Sequence, residues 1–251
     1  MIDIGYTQVA VAVTLMVLAI VLSRWQRLGT EKELAIGIFL SFIQLVAVGY
    51  VLEFIFGLES VPAVLAAVTV MIIVASFTAA RRAVHIPRAW LWSFLSILTG
   101  SVVTLGLMLA VAVITMKAQY VIPLAGMTIG NSMNCGALVM ERLHSDITSN
   151  RPAVETALAL GKNWREASHP FFVKAVKAGM MQMLNFLKVV GIVQLPGAMT
   201  GMILAGASPL KAVLIQVIVG YMITAAVTVT GIMAAHLAIR RMFSPADQLT
   251  I

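Results

Sequence analysis

Charge is what this sequence lacks most. Only 11% of its 251 residues are Asp, Glu, Lys or Arg, where a soluble domain carries about 25%. With 61% hydrophobic residues, there is too little polar surface to coat a water-facing globule, so a polytopic membrane protein is expected. Cysteine occurs once, at Cys135, which excludes an intrachain disulfide and leaves the redox compartment unread. Histidine is scarce: His85, His144 and His169 fall outside the apolar runs and His236 near the end of the last one, which argues against a b-type cytochrome. The last apolar run has no lysine beyond Lys211 at its edge, so a retinal Schiff base has no anchor. Ser132 has no histidine at its depth to activate it as a nucleophile. A phosphate-cradling G-x-x-x-x-G-K-[ST] loop is missing too. Gly161-Lys162 is followed by Asn163, and position 156 is Thr, so the chain has no such route to ATP hydrolysis.

What is there is apolar length. Runs of about 20 residues can cross a bilayer as helices, and seven are expected: 6–22, 34–56, 61–80, 89–116, 121–140, 179–205 and 210–239. The opening stretch MIDIGYTQVAVAVTLMVLAIVLSRWQR has no basic residue before its apolar run and reads as a retained first span rather than a secretory signal. Arg24, Arg27, Lys32, Arg81, Arg82, Arg88, Arg142, Arg151, Lys162, Arg165, Lys174, Lys177, Arg240 and Arg241 all fall on one side of that seven-span layout. Lys117 and Lys211 fall on the other, and Lys188 lies within the sixth run. Basic residues gather in cytoplasmic loops, so the expectation is an all-α, seven-span protein with its N-terminus outside and its C-terminus cytoplasmic. The net charge of +7 is then a property of loops and implies no nucleic acid. No second domain or repeat stands out; residues 1–251 read as one transmembrane domain with a long cytoplasmic loop at about 141–178.

That loop contains NRPAVETALALGKNWREASHPFFVKAVKAG. Pro152 and Glu155 suit the first turn of a short helix, Gly161 suits its stop, and Asn163 with Glu166 has the spacing of a capping box. A helix this short is marginal alone in water. It either lies on lipid headgroups or docks into another protein's groove.

The fifth run, PLAGMTIGNSMNCGALVMERLHSD, carries Asn131 and Asn134 on one helical arc with Met127, Thr128 and Cys135, continued by Gly126 and Gly130. An unpaired amide in an apolar medium costs roughly 2–7 kcal/mol. The two asparagines therefore face protein, either as glue between helices or as the lining of a substrate route. The sixth run holds Asn185, Lys188, Gln194 and a Pro196-Gly197 break, which is a static kink or a hinge. Gln44 in the second run is one more polar candidate. The 16 methionines suit packing or a soft metal ion.

Glu155-x-Ala157-x-x-x-Gly161 resembles the E-A-A-x-x-x-G loop by which ABC transporter permeases seat on their ATP-binding subunit. FIQLVAVGYVLEFIF, PLAGMTIGNSM, VETALALG and VGIVQLPGAMTGMILAGASPLKA resemble FetB-type ABC permeases, a family linked to iron export with plant relatives linked to aluminium tolerance. The likeness runs from about Ala35 to about Gly231. NCGALVMERL is not part of the shared pattern, so no family role passes to Cys135. The resemblance implies a permease subunit of an ATP-driven exporter of iron or another metal ion, in the inner (plasma) membrane. It also implies no cofactor in this chain, a cytoplasmic ABC ATPase holding ATP and Mg, and two copies of the permease. Glu155, Ala157, Leu158 and Gly161 would then dock the partner, Asn131, Asn134, Gln194 and Gln44 line the pathway, and Pro196 and Gly197 form its hinge. A secondary transporter or channel for a small solute or ion is the rival reading, and a membrane scaffold a third.

Overall fold

A computed structural model describes residues 6–58 and 60–250; the first five residues of the opening stretch lie outside them. The described residues are all-α, in nine helices: α1 (Tyr6–Trp25), α2 (Glu31–Leu58), α3 (Val61–Ala80), α4 (Ala89–Ala110), α5 (Ala118–Ser149), α6 (Arg151–Ala159), α7 (Trp164–Val189), α8 (Gly197–Leu204) and α9 (Pro209–Ile239). The chain divides into two compact units, residues 1–59 and 60–251.

In the first unit, α1 and α2 form a hairpin. Arg27 and Gly29 both take positive φ in its turn. The Ser23 hydroxyl closes the turn by bonding to the Thr30 hydroxyl at 2.8 Å and donating to Glu31 Oε1 at 3.3 Å.

In the second unit α5 and α9 are the central pair: α5 packs on α9, α7, α3 and α4, and α9 also packs on α4, α7 and α8. Small residues set these contacts. A Cβ on Gly179 of α7 would meet Val139 Cγ2 at 2.5 Å and the Cys135 carbonyl at 3.1 Å, and one on Gly231 of α9 would meet Cys135 Sγ at 3.1 Å. The buried Cys135 thiol donates to the Val227 carbonyl at 3.6 Å and so ties α5 to α9. Of the two glycines expected to admit a neighbour, Gly126 approaches Met71 of α3, while Gly130 has open space beside it. Thr230 of α9 donates to the Ser96 carbonyl of α4 at 3.3 Å. Beyond this core the outer faces of α3 and α9 expose Leu65, Val70, Val74, Phe77, Leu214, Ile218 and Tyr221, the inverse of a water-soluble surface.

The expected count of seven spans is overturned. Among the described residues four helices are long and apolar enough to cross a membrane: α2, α3, α4 and α9. Four such helices make a multi-pass membrane protein. The first expected span supplies only a shorter apolar stretch, Val13–Trp25. The fifth is part of a 32-residue helix, α5, whose last nine residues carry Glu141, Arg142, His144 and Asp146 and dilute its apolar character. The sixth is not one helix at all. α7 starts back at Trp164 with a charged first half, ends at Val189, and is followed by a turn in which Gly191 takes φ +86°. Only eight residues of helix, α8, come after that turn. Lys188 therefore sits in the last turn of α7, where its charge suits the helix dipole, not inside a span. Without an odd number of spans, the placement of the two termini on opposite sides loses its basis.

The loop at 141–178 is mostly helix. Pro152 lies in the first turn of α6. The Gly161 N–H bonds to the Leu158 carbonyl at 2.9 Å and the Lys162 N–H to the Ala157 carbonyl at 3.1 Å, a Schellman closure with Gly161 at φ +87°. The Asn163–Glu166 capping box is present in both directions, at 3.0 and 3.1 Å. Glu155 is one turn later than expected and pairs with Arg151 at 2.7 Å.

Candidate functional site

The polar residues of α5, α7 and α9 converge within the second unit. A cavity of about 450 Å³ is walled by Met127 and Asn131 of α5, Gln182, Met183, Asn185 and Phe186 of α7, Gln194 and Pro196 of the α7–α8 turn, Gly197 of α8 and Gln216 of α9. Each element brings its amide by simple spacing. Gln182 and Asn185 are three apart, and Met127 and Asn131 four apart, so each pair shares a helical face. The end of α7 at Val189 lets the chain double back, which carries Gln194 to the same hollow. An isolated bridge between Val190 and Gln194, with the Gly191 N–H on the Gln194 carbonyl at 3.0 Å, holds this turn.

A second cavity of about 280 Å³ shares Asn131, Gln182 and Met183 with the first and adds Asn134, Cys135 and Arg82. The two hollows therefore adjoin along the seam between α5 and α7. No aspartate or glutamate lines either one. Among the described residues, no group of three or more His, Cys, Asp or Glu could hold a metal ion. The lining of the first is neutral and amphiprotic: carboxamides offer both donors and acceptors, and the thioethers of Met127 and Met183 sit among them, while Arg82 adds a positive charge to the second.

The bonding of two of these amides is informative. Asn131 donates its Nδ2 to the Met127 carbonyl at 2.8 Å, one turn back on its own helix, which leaves its carbonyl oxygen unused by α5. Gln216 is 7% exposed, and its Oε1 has no hydrogen-bond partner. A buried carbonyl left unsatisfied costs about 1–3 kcal/mol. Its neighbours one and two turns on, Val219 and Ile223, also face the cavity.

The cavity thus gathers Asn131, Gln194, Pro196 and Gly197 of the expected pathway and hinge, and Asn134 lines the adjoining hollow. Gln44 belongs to α2 in the first unit, and the cavity is built wholly from the second. Glu155, Ala157, Leu158 and Gly161 lie together on α6 and its closing turn. Val154 there is 1% exposed, and Ala157 and Leu158 pack against the core, so the outward side of α6 is Glu155, the 79% exposed Leu160 and Gly161. Gln182 and Gln216 were not singled out from the sequence. A lone glutamine in LIQVIVG is the same signal that picked out Gln44 and Gln194.

The family model described as "Uncharacterised protein family (UPF0014)" matches residues 6–243. "UPF0014 membrane protein STAR2" of Oryza sativa subsp. japonica is 38% identical over 98% of this chain and 86% of its own length. "Protein ALUMINUM SENSITIVE 3" of Arabidopsis thaliana is 39% identical over 98% of this chain and 90% of its own length. "Probable iron export permease protein FetB" of Escherichia coli (strain K12) is 31% identical over 99% and 96%. No solved structure matches. A match of this extent, across nearly the whole of several relatives, places the chain in the UPF0014 family.

Proposed function

We propose that this protein is a membrane permease whose cargo passes through the carboxamide-lined cavity between α5, α7 and α9. The observation that carries the reading is Gln216, a buried amide whose carbonyl oxygen points at no protein partner while four other carboxamides share its cavity. A neutral polar lining lowers the cost of moving a polar cargo through an apolar body without holding it tightly. The cargo is an iron or similar metal ion, on the strength of the name of the bacterial relative, and the membrane is the plasma membrane. With no carboxylate in the lining, such an ion keeps much of its own water and exchanges only part of it for amide oxygens.

The energy source in this reading is a separate cytoplasmic ABC ATPase, with two permease chains to two ATPases. It engages α6 through Glu155, Leu160 and Gly161, and α7, which α6 feeds directly, transmits the movement to the cavity wall. Pro196 and Gly197 then absorb the motion at the start of α8. A transporter or channel that runs without an ATPase is the second reading. The names of the rice and bacterial relatives say membrane protein and permease, which this reading satisfies without a second subunit.

The test is a mild-detergent capture of the tagged chain from native membranes, paired with flux of Fe2+ into liposomes holding the purified chain alone. The ATP-driven reading expects a co-purifying ATPase that is lost in Leu160→Glu, a variant at an exposed position that leaves melting unchanged, and no flux without nucleotide. Flux from the chain alone, with no ATPase captured, transfers the assignment to the second reading. Neither flux nor an ATPase, with folded protein at normal yield, overturns the permease assignment.

A further inference from the structure

Beside the second hollow, with which it shares Arg82, a further hollow of about 640 Å³ opens between the turn joining α3 to α4 and the last turns of α5. Local sequence explains why polar groups meet there. In the turn, Ala83 and Ile86 are 3% exposed and anchor it to the core, which turns Arg82 and His85 outward. On α5, Met140, Leu143 and Ile147 are fully buried, so Glu141, His144, Ser145 and Thr148, spaced three and four apart, form the opposite face. The His85 and His144 rings stack with centroids 4.9 Å apart and planes 16° from parallel. Among the described residues Arg82 has no ion pair, and the Ser145 and Thr148 hydroxyls have no hydrogen-bond partner.

We infer that this hollow binds a phosphate-type anion, with Arg82, His85 and His144 meeting its charge and Ser145 and Thr148 donating to its remaining oxygens. Arginine's planar fork matches phosphate oxygens, and charge-assisted bonds of this kind are the strong ones. Basic pockets between membrane helices are where lipid headgroups bind; a lipid phosphodiester and a free phosphate present the same oxygens. A metal ion is the other ligand that two imidazoles suggest. It is disfavoured because the described residues hold no group of three or more His, Cys, Asp or Glu placed to bind a metal ion, Glu141 included, and because Arg82 repels a cation. Glu141 shares the lining and opposes an anion.

Protonation sets the pH dependence of such a site. Burial, and then the neighbouring His85, push the His144 pKa below its usual value. An anion held at the edge of the stacked rings offsets both effects, so binding takes up a proton and strengthens as pH falls through the histidine range. The charged and titratable groups facing His144 are Arg82 and His85 from the turn and Glu141 from its own helix. A lipid phosphodiester keeps its single charge over that range, so the trend belongs to the histidines.

The experiment uses the full chain labelled on histidine carbon, in neutral micelles, with ring resonances assigned from His85→Gln and His144→Gln. One arm adds inorganic phosphate and the other adds phosphatidylglycerol against a phosphatidylcholine control. Saturable movement of both ring signals toward the protonated position is expected in at least one arm. Binding should weaken about tenfold in Arg82→Gln, tighten in Glu141→Gln, and stay unchanged in Arg88→Gln, which lies outside the hollow. Response to phosphatidylglycerol alone identifies a lipid headgroup, and response to phosphate identifies a soluble anion. Silence in both arms, or unchanged affinity in Arg82→Gln, overturns the inference. So does Zn2+ binding that moves both rings and weakens in Glu141→Gln.

Discussion

Gln216 separates a structural amide from a functional one. An amide kept as interhelical glue stabilises through its bonds, and its removal costs about 0.6–2 kcal/mol. The Gln216 carbonyl makes no such bond. Gln216→Leu keeps the volume and removes the unpartnered group, so stability should hold or rise, by up to about 1–3 kcal/mol. If cargo uses that oxygen, flux should fall at the same time. Melting in detergent and flux in liposomes, measured on one preparation, check the pair. A loss of stability with flux intact would make Gln216 glue.

The sequence exposed part of this site at residue level. Asn131 and Gln194 stood out because each interrupts an apolar run, and both line the cavity. Asn134, argued from the same arc as Asn131, faces the adjoining hollow instead. Gln182 escaped notice because it lies among Met180, Met181, Met183 and Leu184, where one amide looks like variation. Its meaning depends on α7 packing beside α5, and no spacing within one helix reports that.

At the scale of elements, termini proved more legible than spans. The capping pair Asn163–Glu166 and the stop at Gly161 are local chemistry, complete within a few residues, and both are present. α3 and α9 match their expected limits to within a residue, because Pro62 and Pro209 open them and basic residues follow them. α5 and α7 do not, because an apolar window cannot say whether a helix runs on past its charged flank. α5 does so for nine residues beyond Met140. The break after Val189 was placed at Pro196 because proline is the visible helix breaker. The chain in fact leaves the helix seven residues earlier, through Gly191. Gly161 carries the prediction at this scale. Its φ of +87° is open to glycine and strained for residues with a Cβ, although nothing lies within 4 Å to clash. Gly161→Ala should cost about 1–2 kcal/mol, and Gly161→Asn less, because asparagine tolerates the left-handed region. Chemical denaturation of the two variants reads the order. Equal stability would mean that the α6–α7 joint relaxes to another turn, and α6 would then be a poor lever for any partner.

For the whole molecule, the question is what surrounds it. Val70 lies at the middle of α3 and is 59% exposed, and Leu65, Val74 and Phe77 on the same helix are exposed as well. In water such a face would invite aggregation, and substitutions on it would change stability by only about ±0.5 kcal/mol. In a bilayer the solvent is hydrocarbon, and a lysine at a helix centre costs roughly 2.5–3.5 kcal/mol. Val70→Lys should therefore sharply reduce the membrane-inserted yield of a fluorescent fusion, while Val70→Leu leaves it unchanged. The comparison position is Glu155, half exposed on the charged side of α6, where Glu155→Lys should leave insertion intact. Equal yields for Val70→Lys and Val70→Leu would mean that the exposed face of α3 is covered by protein or wet. That outcome would leave α3 as a core helix of an assembly and remove it from the set that crosses the membrane.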